Sequence, residues 1–125
     1  MDEIRANSNN KSIIDEQIKD TLLPEEKEYA NVITNSSKGI ITSDDANEFV
    51  KVLHTYSFYG KESALNEFKN LGQYLIDKNG AIKALSQISF LLGVMNSNQI
   101  IDQAEMEKMS KDYQAKIMKL LMNKN

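Results

Sequence analysis

Apolar residues recur along most of this chain with the spacing of a helix face. Ile13, Ile14, Ile18, Leu22 and Leu23 follow Ser12, with Asp15 in the capping-box position, and predict a short helix. Pro24 suits a first helical position and opens a second helix whose apolar face is Tyr29, Val32 and Ile33, ended by Asn35-Ser36-Ser37-Lys38-Gly39. Thr42-Ser43-Asp44-Asp45 is a dense N-terminal signal, in which Thr42 or Ser43 can accept bonds from the first turn. Ala46, Phe49, Val50, Leu53 and Tyr56 follow on one face, and Gly60 closes the segment. Leu65, Phe68, Leu71 and Leu75 repeat the pattern between Glu62 and Lys78, with Gly80 as the stop. Ala81 to Met95 is apolar nearly all round, which places it in the middle of a bundle. After the turn Asn96-Ser97-Asn98, residues 98–122 run without Gly or Pro as one long final helix. The pattern predicts an all-α fold, a compact bundle of five or six helices with a long C-terminal helix. The polar stretch 1–11 reads as a flexible N-terminal tail, and 12–125 as a single helical domain.

The final helix carries two apolar strips. At 100° per residue, Met106, Met109, Tyr113, Ile117, Leu120 and Leu121 share one stripe, the width a bundle core would bury. Ile100, Ala104, Met118 and Met122, with Lys111 among them, fall off that stripe and are the residues one core face explains least. Methionine is unbranched and polarizable, so exposed Met-rich surface suits contact with another protein. These five residues form the candidate protein interface.

Composition narrows the field of functions. Hydrophobic residues make up 41% and charged residues 26%, so the chain can bury a core and does not have the signature of disorder. Without cysteine it has no disulfide, no thiolate nucleophile and no Cys-based zinc site. The most apolar stretch, Ile88 to Met95, is far shorter than a membrane span, and the N-terminus lacks the basic start and apolar run of a secretory signal. A cytoplasmic protein is expected. Charge is polarised: residues 1–30 hold eight acids against four bases, and residues 108–125 hold five lysines against Asp112. Arg5 is the single arginine, and asparagine is abundant, a bias that suggests an AT-rich bacterial or phage source.

The chain carries few motifs with chemistry attached. Gly39 and Gly80 each precede an isoleucine by two residues, as the loop glycine of an EF-hand does. With glycine at position six, one loop would be residues 34–45, with Lys38 where a ligand is needed. The other would be residues 75–86, with Leu75 first and Ser86 in place of the bidentate glutamate. Neither can hold calcium, so the pattern supports at most a degenerate, metal-free EF-hand-like module, and a glycine helix stop explains it as well. His54, the only histidine, excludes His–His metal pairs, and no partner for acid–base work lies near it in sequence. Asp44, Asp45 and Glu48 read as the charged first turn of a helix. The five glycines are isolated, so no phosphate-cradling loop exists, and the C-terminal lysines lack the arginines of a nucleic-acid surface.

The resulting expectation is a small protein without catalytic, metal or cofactor residues that binds another protein through helical surfaces. Inhibitors, immunity or antitoxin factors, anti-defence factors and secretion chaperones are of this kind. The alternative is a structural subunit that forms a homo-oligomer or coiled coil through its C-terminal helix.

Overall fold

The structure, a computed structural model, describes residues 21–123. The expected tail at 1–11 and most of the helix opening at Ser12 lie outside the described residues. Within them the chain forms five helices and no strand: α1 (Pro24–Ser36), α2 (Ser43–Tyr59), α3 (Lys61–Asn79), α4 (Ala81–Ser97) and α5 (Gln103–Asn123). The all-α bundle and its long last helix are as the periodicity predicts.

Each helix packs on the next. At Gly60 and Gly80 a single residue separates two helices, with φ of +95° and +88°, a backbone conformation that favours glycine. Neither segment that resembled an EF-hand loop forms one. Residues 75–86 are helical on both sides of Gly80, and residues 34–45 are helical up to Ser36 and again from Ser43, so neither segment is a twelve-residue loop.

The core is a cluster built from all five helices, with Phe49, Phe68, Leu75, Ile88, Leu91, Leu92, Met95 and Ile117 among its fully buried members. Phe49, Phe68 and Tyr113 form an edge-to-face relay from α2 through α3 to α5, with ring centroids 6.3 and 6.1 Å apart. Tyr113 enters by resting on Gly72, where an added Cβ would lie 2.8 Å from its hydroxyl. Gly72, which only weakens the helix when read from sequence, is the seat of that ring.

Three local expectations change. In α1 the buried positions are Ala30 and Ile33, while Val32 is 52% exposed, because the helix turns its Glu26–Ala30–Ile33 row toward the bundle. Tyr56 of α2 is exposed, whereas Val52 and His54 are buried, since α2 lies between α1 and α3 and is covered on two sides. The final helix does not begin at Asn98. Gln99 takes φ +61°, the Ile100 amide donates to Met95 O at 3.0 Å, and Ile100 and Ile101 sink into the core. Asp102 then opens α5 with a capping box: the Glu105 amide donates to Asp102 Oδ1 at 2.7 Å, and the Asp102 amide to Glu105 Oε1 at 3.1 Å.

Asp45 is more than a dipole complement. It is fully buried and accepts hydrogen bonds from Lys78 Nζ at 2.9 Å, Asn79 Nδ2 at 3.3 Å and Gln87 Nε2 at 3.4 Å. Gln87 Nε2 also donates to Ile40 O at 3.1 Å. Hydrogen bonds to Asp45 and Tyr74 hold the Lys78 ammonium above its ordinary pKa. The network ties the start of α2 to the end of α3, the middle of α4 and the turn after α1. A buried carboxylate is stable only when satisfied in this way.

Candidate functional site

The last helix is amphipathic in an uncommon sense: its core face is apolar, and so is part of its outer face. Met106, Tyr113 and Leu120 form the inward row, flanking the buried Ile117. Ala104, Lys108, Lys111, Ala115, Met118 and Met122 share an arc of about 80° diametrically opposite that row, at 100° per residue. All six are exposed, Met118 at 60% and Met122 at 71%. The structure thus brings four of the five candidate residues, Ala104, Lys111, Met118 and Met122, onto one open face. Ile100 does not join them. It is 3% exposed and lies before α5 begins, because the capping box at Asp102 moves the helix start and leaves Ile100 to fill the core. The Asp102-x-x-Glu105 pattern was the sequence signal for this boundary.

Clefts run along both flanks of the face. A cavity of ≈ 300 Å³ lies between α4 and α5 and is lined by Ser89, Leu92, Met106, Ser110, Lys111 and Gln114. Ser89 of α4 lines this cleft with Ser110 and Gln114, and Ile82 lies two turns earlier on the same face of α4. Ile82 is 69% exposed. On the other flank a cavity of ≈ 390 Å³ between α3 and α5 is lined by Leu65, Lys69, Met109, Asp112, Tyr113 and Lys116. Burial raises the Tyr113 phenol above its ordinary pKa. Lys116 Nζ donates to Gln73 Oε1 at 2.9 Å, and Lys61 Nζ bonds Glu105 at 2.7 Å, so one ion pair and one amide contact join α5 to α3 near its start and past its middle.

The second place where functional side chains meet is around His54. The sequence offered it no partner, but the fold supplies one. Glu26 of α1, 28 residues away, places Oε1 2.8 Å and Oε2 3.0 Å from His54 Nδ1. The same carboxylate accepts the Leu23 amide at 2.7 Å, so it both caps α1 and orients the imidazole. His54 packs against the Phe58 ring at 4.6 Å and lines a polar cleft of ≈ 500 Å³ with Lys51, Thr55, Tyr59, Ser63 and Glu67. Glu26 was legible only as a first-turn acid, because nothing in local spacing reports an α1–α2 contact. Among the described residues no cluster of three or more His, Asp or Glu side chains is arranged to hold a metal ion, and no helix is long and apolar enough to cross a membrane.

Compared with family models, curated proteins and solved structures, the chain matches none. Its function is therefore argued from its own surface.

Proposed function

We propose that this chain is a non-catalytic protein-binding regulator, of the inhibitor, immunity, antitoxin, anti-defence or secretion-chaperone kind, which works through the outer face of α5. One observation carries the reading: α5 fills the core with one side and still presents Met118 and Met122 on the other, at 60% and 71% exposure. A single exposed apolar residue needs no explanation, but two methionines one turn apart on an open helix face suit contact with another protein. Lys111 at the edge of the adjoining cleft adds a charge that can select the partner.

Affinity capture from the native host tests this, with Met118→Asp and Lys111→Glu as matched baits. Both positions are exposed, so circular dichroism and the melting temperature should stay at wild-type values while the captured partner is lost. A partner retained equally by both variants would remove α5 from the interface.

A further inference from the structure

We infer that the cleft between α3 and α5 binds a small amphiphilic carboxylate, its carboxylate group held between Lys69 and Lys116 and its hydrocarbon tail laid over Leu65 and Met109. The cleft shares no lining residue with the outer face of α5, so the inference does not depend on a protein bound there.

The contacts that cross between α3 and α5 fix how the two walls run. Lys61 bonds Glu105, Phe68 meets the Tyr113 ring edge-on, and Lys116 Nζ donates to Gln73 Oε1, so residue numbers rise together and the helices are parallel. The cleft of ≈ 390 Å³ therefore has two unlike ends. Leu65 and Met109, both packed on the core, lie toward the Lys61–Glu105 pair, and Lys69, Tyr113 and Lys116 lie one to two turns further on. A floor that passes from apolar to cationic along its length matches a ligand with a tail and one anionic head. From Met109 to Lys116 the wall rises about 10 Å, and the volume is within the range of small-molecule sites.

Charge and hydrogen bonding select the head group. Asp112 is the acid that lines the cleft against Lys69 and Lys116, which leaves a positive excess. Lys116 uses one of its three donors on Gln73, and neither lysine is ion-paired among the described residues. Tyr113 supplies an independent observation. Its hydroxyl rests on Gly72, and among the described residues no group hydrogen bonds to it. No buried side-chain polar atom of the described residues lacks a partner, so this hydroxyl reaches solvent, and the cleft is solvent space that Tyr113 lines. Burial raises the phenol above its ordinary pKa, which keeps its proton in place as a donor to a carboxylate oxygen. A neutral amphiphile would leave both ammonium groups unmatched, and an inorganic anion would leave the apolar floor uncovered.

Calorimetric titration with hexanoate, octanoate and decanoate should show saturable binding, with affinity rising about fourfold per methylene. Octanol, which has the same tail and no charge, should bind at least about tenfold more weakly than octanoate. Tyr113→Phe keeps the ring and removes the donor, and should weaken octanoate about tenfold while leaving octanol unchanged. Lys69→Gln and Lys116→Gln, both at exposed positions, should each weaken octanoate about two- to fivefold without moving the melting temperature. Methionine methyl NMR locates the ligand: the Met109 signal should shift, and those of the outward Met118 and Met122 should not. Equal affinity for octanol and octanoate, no saturation by any of the three acids, or shifts confined to Met118 and Met122 would overturn the inference. Inorganic phosphate that displaces octanoate at equal concentration would reduce the site to one for simple anions and refute it as well.

Discussion

Two glycines inside helices provide a controlled test of the packing between α3 and α5. Both Gly72 and Gly93 sit in helical backbone, where replacement by alanine gains about 1 kcal/mol of helix propensity. At Gly93 an added Cβ meets nothing within 4 Å, so Gly93→Ala should keep that gain and raise the melting temperature by roughly 3–5 °C. At Gly72 the same methyl group would stand 2.8 Å from the Tyr113 hydroxyl and 2.9 Å from Cε1. The tyrosine must move, which disturbs its edge-on contact with Phe68 and repacks the junction, at a cost of about 1–3 kcal/mol. Propensity cancels when the two variants are compared. Their difference in urea-unfolding free energy, about 1–3 kcal/mol in favour of Gly93→Ala, then measures the seat itself. In a Tyr113→Ala background the obstruction is gone, and Gly72→Ala should become stabilising, a coupling that a double-mutant cycle reads directly. Equal stabilities for Gly72→Ala and Gly93→Ala in the wild-type background would refute the placement of Tyr113 on Gly72, and with it the relay that joins α5 to the bundle.

Further outcomes follow from the two polar contacts that cross between helices. Asp45→Ala should cost about 2–4 kcal/mol in urea unfolding, because it opens a buried void and removes the acceptor shared by Lys78, Asn79 and Gln87, while Asp45→Asn should cost less. A loss below about 0.5 kcal/mol would mean the network is replaced by water. The Lys61 ammonium, followed by the Asp102 amide, holds the Glu105 carboxyl below the usual carboxylate range. A depressed carboxylate stabilises the fold above its unfolded pKa, and that contribution is lost as pH falls through its folded value. Side-chain carbon NMR should therefore find Glu105 titrating low in the wild type and higher in Lys61→Gln; an unchanged midpoint would show that the pair does not persist in solution.

Much of the architecture was legible along the chain because helices report themselves locally. Thr42 before Asp44 and Asp45, the glycines at 60 and 80, and the apolar rows of α2 to α5 each lie within a few residues of what they specify. Helical arithmetic separated Met118 and Met122 from the main stripe of α5, but their exposure is set by the packing, since a helix covered on several sides, as α4 is, buries more than one strip. What local spacing could not report is which helix lies beside which. Glu26 reaches His54 across 28 residues, and Lys78 reaches Asp45 across 33. Both acids look, in sequence, like ordinary first-turn charges. Ile100 illustrates the same limit from the apolar side: its phase suited the outer strip, but the capping box at Asp102 ended the helical phase before reaching it. Helical period and end signals determined the elements and divided the apolar residues of α5 into two strips. Only the tertiary structure decided which charges are buried, which glycine receives a ring, and that the second strip of α5 stays open, because those depend on contacts between residues the chain keeps far apart.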